Sequence, residues 1–410
     1  MSDRKCPDTN KILRPLRFIA ILMACYFVAN SVHVALLVRT KKGAETLVSS
    51  DSSQYLTFSR EFLKGDFSMH YIHNVPHREP LYPLLLAIAT KLGAGNLFFL
   101  GEVNVVAMTL AIGSVYYGIL RFWSDHLIAG LATMCFSFNL FFWRLASARL
   151  LTEPLYALFL VWVIISFLQY LQSRKIAWLF AGAFFSGLEV LTRPSGVFDA
   201  AALLGILFIA DLSRRSENKR FLLRAVHQIL PYFCAALLFI LAAVPAWLPR
   251  LIYFGNPFYT GYLTNFLWVD TYHLAHDVDE RFPNYTWRDY VSSHNAFQVI
   301  ERIGHGIWNV CIRIPITDEK IPVLYVLCVG GIWITIRKGP VEYRLLLVLF
   351  AIQLFPFIWT NLANPTRRVP YGSTFPFEPF FAARFLAVYR LRISQIFTRL
   401  LPYQFPASAP

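Results

Sequence analysis

The chain has 410 residues, 56% apolar and only 15% charged, with 37 Phe and 20 Tyr and a mean hydropathy of +0.48. Soluble domains carry roughly 25% charged residues, so this balance excludes a soluble globular protein and points to an all-α, polytopic membrane protein, one membrane-embedded domain over 1–410. The net charge of +14 does not indicate nucleic acid, because the basic residues lie in short loops beside apolar runs, where positive-inside placement and contact with anionic lipid or phosphate account for them.

In chain order, the polar, basic segment MSDRKCPDTNKILRPLR leads into Phe18–Val38, long enough to span a ~30 Å hydrocarbon core. It lacks a small-residue cleavage site, which favours an uncleaved first span over a signal peptide. The first external loop, 39–96, comes next. Within it Gln54–Lys64 reads as a helix on the membrane surface: at 100° per residue Tyr55, Leu56, Phe58, Phe62 and Leu63 share one side, and Thr57, Arg60, Glu61 and Lys64 the other. Gly65-Asp66 ends that helix, and Pro76, Pro80 and Pro83 break up the remainder of the loop. Asp51 then stands just before the surface helix, near the headgroup boundary, where a carboxylate can stay ionised.

Further spans are expected near 97–120, 127–143, 152–171, 176–192, 197–210, 229–248, 321–336, 344–360 and 375–390, about ten helices in all. A second large external loop, 249–320, holds Gly255-Asn256-Pro257 and an amphipathic stretch around Ala296–Cys311. It either covers the region opposite Asp51 and helps select an acceptor, or forms a cap that stabilises helix ends. The loops at Gln172–Lys175, Asp211–Arg224 and Arg337–Arg344, with both termini, are dense in Lys and Arg and belong on the cytoplasmic side. Both long loops then face outward, across a bacterial inner membrane into the periplasm. The six cysteines (Cys6, Cys25, Cys135, Cys234, Cys311 and Cys328) are scattered with no CxxC pair, giving neither a disulfide framework nor a thiolate metal site.

No P-loop, GxGxxG, HExxH or GxSxG occurs, so a membrane-borne donor fits better than a soluble nucleotide. The order Asp51-Ser-Ser-Gln-Tyr55, Arg60-Glu61-Phe62, Gly65-Asp66-Phe67 and Arg78-Glu79-Pro80-Leu-Tyr82-Pro83 resembles the first external loop of the GT-C glycosyltransferases. The nearest in pattern are the protein O-mannosyltransferases and the aminoarabinose lipid A transferases. Ala148-Arg149-Leu-Leu-Thr-Glu153-Pro154, Leu191-Thr-Arg193-Pro194 and Gly255-Asn256-Pro257 extend the resemblance over about 15–390. It implies transfer of a sugar from a polyprenyl phosphate, with inversion at the anomeric carbon, at the outer face of the membrane.

Asp51 matches the family's loop carboxylate and is the expected general base, since an acceptor hydroxyl is a poor nucleophile until a nearby group accepts its proton. Tyr55, Arg78, Glu79 and Tyr82 would shape the donor site, Arg193, Arg367 and Arg368 would meet the leaving phosphate, and Arg149 and Glu153 would form the acceptor rim. Arginine suits a lipid phosphate because its fork reaches two oxygens at once. Two positions depart from the pattern. Ser52 stands where relatives carry Glu, and Glu79 stands where the aminoarabinose transferases carry a Lys that resembles a phosphate ligand. No tightly held cofactor is expected, although some relatives use a divalent ion, to which Glu79 or Glu153 would be candidates.

Each residue also has a plainer role. Asp51 would cap the surface helix, Glu153-Pro154 would mark a helix start, Arg193-Pro194 would be an interface anchor, and Arg367-Arg368 would contact headgroups unspecifically. His70, His73 and His77 do not share one helical face, and Pro76 interrupts them, so they read as loop histidines rather than metal ligands. Two other functions compete with transfer: a lipid or phosphosugar-lipid transporter, against which the lack of an internal repeat counts, and a non-catalytic subunit in which Asp51 and Glu153 are dispensable.

Overall fold

Apolar runs of this length satisfy their backbone in a bilayer by hydrogen bonding within the run, and the chain is helical accordingly. The computed structural model describes residues 9–48, 50–66, 78–93, 95–213, 221–260, 267–270, 286–313, 323–360 and 375–400. Among these there is no β-strand. The helices are α1 (Thr9–Val38), α2 (Lys41–Leu47), α3 (Ser50–Leu63), α4 (Leu81–Leu92), α5 (Leu97–Trp123), α6 (His126–Ser137), α7 (Leu140–Ser147), α8 (Glu153–Ser173), α9 (Ile176–Val190), α10 (Gly196–Ser213), α11 (Phe221–Phe254), α12 (Trp287–Ser293), α13 (Ala296–Ile307), α14 (Val323–Lys338), α15 (Val341–Thr360) and α16 (Glu378–Leu400). Six of them, α1, α5, α8, α10, α11 and α15, are long and apolar enough to cross a membrane, while α4, α6 and α9 are shorter apolar helices.

Each segment expected to span is helical, with shifted ends and one division, and six of the about ten expected are long and apolar enough to cross. The segment near 127–143 is two helices, α6 and α7, parted at Phe138–Asn139. The prolines of the first external loop do not all act as breakers: Pro80 occupies the cap of α4 and Pro83 its first turn, where proline's missing N–H costs nothing.

α8 is the axis. Its side chains from Glu153 to Leu171 are almost all buried, as expected of a helix apolar on every side. It packs against α5 and α9, and α9 in turn packs against α10 and α11. α14 lies along α16, closely enough that a Cβ on Gly331 would collide with the Phe381 carbonyl.

The bundle has two chemically distinct ends. At one, Asp125 caps α6 through Leu127 N and Ile128 N and pairs with Arg390 at 2.9 Å. Nearby Trp123 Nε1 donates to the Tyr343 hydroxyl at 2.8 Å. Also among the chain's basic segments, Arg174 pairs with Asp211, which accepts from the Tyr170 and Tyr232 hydroxyls. The opposite end gathers the turns that precede or follow α2, α4, α8 and α9. There Leu150 N donates to Leu47 O at 3.1 Å and Leu81 N to Leu191 O at 3.0 Å, while Asn104 Nδ2 donates to Arg149 O at 2.8 Å. These links between distant segments build the platform on which the candidate site stands.

Candidate active site

The surface helix begins earlier than its sequence pattern suggested. α3 starts at Ser50, which places Asp51 inside its first turn rather than ahead of it. A carboxylate is favoured there by the positive end of the helix dipole. The buried face is also rotated from the expected one. Ser52, Tyr55, Ser59 and Phe62 are buried and Leu63 is exposed, a 0, 3, 7, 10 spacing that keeps one helical stripe inward. Ser52 explains the rotation: its hydroxyl donates to Leu150 O at 2.9 Å and so pins the start of α3 to the segment entering α8. Gly65, at φ +81°, closes the helix in the left-handed conformation glycine tolerates. Lower on α3, Phe58 and Phe62 pack on Ala87 of α4.

Arg78 and Glu79, adjacent in sequence, are drawn to different partners. Arg78 donates from one terminal nitrogen to Asp51 Oδ1 at 2.8 Å and from Nε to Gln54 Oε1 at 2.7 Å. Its guanidinium lies 5.2 Å from the centre of the Tyr55 ring, and Tyr55 meets Tyr82 edge-to-face at 5.1 Å. The Asp51 side chain keeps 39% of its surface exposed against 17% for Arg78, so the carboxylate is presented outward by a largely covered cation. Glu79 instead accepts from Arg250, at the end of α11, at 2.7 Å, with side chains 5% and 2% exposed respectively.

A second ion pair joins the starts of α8 and α10. Arg193 lies 3.4 Å from Glu153 Oε1, its guanidinium 5.7 Å from the centre of the Tyr156 ring. The Tyr156 hydroxyl donates to Asp199 Oδ2 at 2.8 Å and accepts from Gln353 Nε2 of α15 at 3.0 Å. Asp199 lies beside Glu189, both of whose carboxylate oxygens are buried without a hydrogen-bond partner. Tyr55 connects the two pairs, lying within electrostatic reach of Arg78, Glu153 and Arg193. Burial pushes the Tyr55 phenol above its ordinary range, with Arg78 opposing, so near neutral pH it stays protonated.

Asp51, Tyr55, Arg78 and Tyr82 thus form one cluster, Glu153 and Arg193 a neighbouring pair, and Glu79 a buried pair with Arg250. The Arg149 backbone is fixed by Asn104, and its side chain is half-buried. Arg367, Arg368, His70, His73 and His77 lie outside the described residues. Arg250, Tyr156, Glu189, Asp199 and Gln353 were not expected from the sequence. The available signal was an ionisable residue inside a predicted span, which by default marks a functional position, and Glu189 and Asp199 both met it.

Buried polar atoms are normally hydrogen-bonded. Here Glu153 Oε2, Asp199 Oδ1, Arg250 Nε and Gln353 Oε1 are buried without a hydrogen-bond partner, all in this one set of ion pairs and their supports. Unmet donors and acceptors of both signs suit a polar ligand with a negative charge and hydroxyl groups. Among the described residues no three His, Cys, Asp or Glu converge as metal ligands, and Asp51, Glu79 and Glu153 are each turned onto an arginine. The carboxylates as arranged therefore do not form a divalent-ion cage.

Residues 75–248 match the family model described as dolichyl-phosphate-mannose-protein mannosyltransferase. Among solved structures, ArnT from Cupriavidus metallidurans in the apo state aligns over 94% of this chain and 62% of its own, at 15% identity and a TM-score of 0.50. The same protein bound to undecaprenyl phosphate aligns over 96% and 66%, at 15% identity and a TM-score of 0.47. The Archaeoglobus fulgidus oligosaccharyltransferase, in complex with zinc and sulfate, aligns over 93% and 52%, at 14% identity and a TM-score of 0.52. The chain spans between about half and two thirds of the length of these solved proteins. No curated protein matches it by sequence. The chain shares its fold with the apo ArnT and with the archaeal oligosaccharyltransferase.

Proposed function

We propose that this chain is an integral membrane glycosyltransferase that moves a sugar from a polyprenyl phosphate to an acceptor hydroxyl, inverting the anomeric carbon, with Asp51 as general base. The basic end of the bundle faces the cytoplasm and the site end the periplasm or exterior. The observation that carries this reading is the placement of Asp51: a part-exposed carboxylate gripped by a covered arginine, beside a buried rim of charged groups with unmet hydrogen-bonding capacity. The family match over 75–248, whose description names a dolichyl-phosphate sugar, supports the choice of a lipid-phosphate donor.

In this mechanism the acceptor oxygen bonds to the anomeric carbon as the bond from that carbon to the phosphate oxygen breaks on the opposite face. The acceptor proton passes to Asp51, and polyprenyl phosphate leaves. Arg78 fixes the carboxylate's direction through Oδ1, leaving the group outward-facing where an acceptor arrives. Charge grows on the departing phosphate, and cationic donors aimed at it lower the barrier. Arg193 and Arg250 would take that task, Arg250 with a buried Nε–H still unmet, and Arg367 and Arg368 are further candidates. Tyr55 and Tyr82, both buried, would back Arg78 from behind the donor site, and Arg149 and Glu153 would bound the acceptor side.

The test is turnover in liposomes with a panel of labelled polyprenyl-phosphate sugars, following release of polyprenyl phosphate in wild type and Asp51→Asn. Turnover that collapses in the variant at unchanged thermal stability supports the base assignment. Equal turnover in both would reduce Asp51 to a helix-start residue. Transbilayer movement of the lipid without any turnover would replace transferase by transporter.

A further inference from the structure

The second external region holds a helix with three different faces. α13 opens with a capping box, Asn295 and Gln298 each accepting the other's backbone N–H. One face is spent on the protein: Arg302 and Gly306 are buried, with Val299 and Ile303 half-buried. Arg302 donates from Nε to Trp359 O at 2.7 Å, lies between the Tyr290 and Trp359 rings at 4.8 and 4.6 Å, and pairs with Asp270 at 2.9 Å. Gly306 rests so closely on the Ile358 carbonyl that no Cβ could be accommodated. A second face is polar and exposed, with Gln298, Glu301 and His305. The third is apolar and exposed, with Phe297 at 73%, Ile300 at 67%, then Ile307 and, opening the π-helical turn that follows, Trp308. Gly304 on the same stripe has open space around it. At 100° per residue the three sectors succeed one another around the helix without mixing.

The height of this apolar stripe is set by what α13 grips. Trp359 and Ile358 lie in the last turn of α15, a 20-residue span, and Gln353 of α15 reaches Tyr156 at the site end. α13 therefore lies where α15 leaves the bilayer at that end. Deeper in the bilayer α15 exposes Val348, Ile352 and Phe355, a lipid-facing stripe that rises to Trp359, on which Phe355 stacks. The apolar sector of α13 is exposed at this same end of α15. Trp287 and Val291 of α12 add exposed apolar area beside it, and indole rings at this depth favour the acyl–headgroup boundary.

We propose that α13 is a monotopic interfacial helix whose Phe297–Ile300–Ile307–Trp308 sector is seated in the lipid leaflet on the site end, while Glu301, His305 and Gln298 face water. The second external region is then held by protein on one flank and lipid on the other, which fixes its position beside the mouth of the site. This reading stands apart from the proposed chemistry.

The test uses the full chain with its six native cysteines replaced, reconstituted in phosphatidylcholine vesicles, and nitroxide labels introduced one at a time through Phe297→Cys, Ile300→Cys, Gln298→Cys, Glu301→Cys and His305→Cys. All five positions are surface-exposed, so the substitutions leave the core untouched. Labels at 297 and 300 should collide more with oxygen than with a water-soluble nickel chelate, and labels at 298, 301 and 305 the reverse, the ratio alternating with the helical period. Nickel-dominated collisions at all five would overturn the proposal in favour of a water-facing helix. Labels at 297 and 300 shielded from both reagents would overturn it in favour of a protein cover.

Discussion

Both ends of the bundle carry ion pairs, and the pairs lie at different depths. At the basic end Arg390 meets Asp125 with the arginine side chain 61% exposed. At the site end Glu79 and Arg250 are almost wholly removed from solvent, and Glu153 and Arg193 are largely so. An exposed pair contributes at most about 1 kcal/mol. A buried pair gains little net stability, because desolvation offsets attraction, yet breaking it is costly. Cohesion alone would be served as well by apolar side chains. Among the described residues the most deeply buried pairs lie at the site end, which marks that end as the place where charge is used.

The largest expected effect comes from unpairing the deepest of these ions. Arg250→Ala leaves the Glu79 carboxylate uncompensated and should cost about 3–5 kcal/mol, read as a fall in thermal midpoint in detergent. Adding Glu79→Gln to the same chain should restore most of that loss. No restoration would mean that the packing of the arginine stem, rather than its charge, was what mattered. Asp51→Asn inverts the pattern: turnover should fall by about 10²–10⁴-fold, while the thermal midpoint barely moves, the side chain being part-exposed and its pair worth little.

Arg193→Lys keeps the charge of the second pair but loses the planar fork. With a charged hydrogen bond contributing about 1.5–3 kcal/mol, kcat/KM should drop by roughly tenfold to a hundredfold, and a wild-type value would remove Arg193 from the phosphate site. The smallest effects belong to the basic end. Asp125→Ala removes the α6 cap, for about 1 kcal/mol, and Arg390→Ala should cost less, neither changing turnover. Comparable losses of activity at both ends would erase the distinction between them.

The spans were legible because hydropathy and helical length are written in consecutive residues. α1, α5, α8 and α15 need nothing from elsewhere in the chain to be recognised. The first external loop was legible in part. Its surface helix and glycine stop obey local rules, but the inward face of α3 is set by Ser52 reaching Leu150, a contact between segments far apart in sequence. α4 was hidden by prolines that break a helix interior but are harmless at its start. Within the site, Asp51, Tyr55, Arg78 and Tyr82 sit close enough in sequence to suggest one cluster. Arg250 was invisible for the opposite reason: it closes a span as an ordinary basic flank would, and its partner lies in another loop. Glu189 and Asp199 were visible as ionisable residues in apolar runs, but only the packing of α9 against α10 shows that they meet.

Glu79 and Arg250 are 171 positions apart, and this separation orders the birth of the protein. As the chain leaves the ribosome, Glu79 emerges long before α11 exists, and a lone carboxylate in its final position would be buried without a cation. Until α11 has been inserted, that carboxylate must stay hydrated, so the turn entering α4 cannot seat. The insertion of α11 is thus the event that lets the early segments lock, and biogenesis of the site end is completed late.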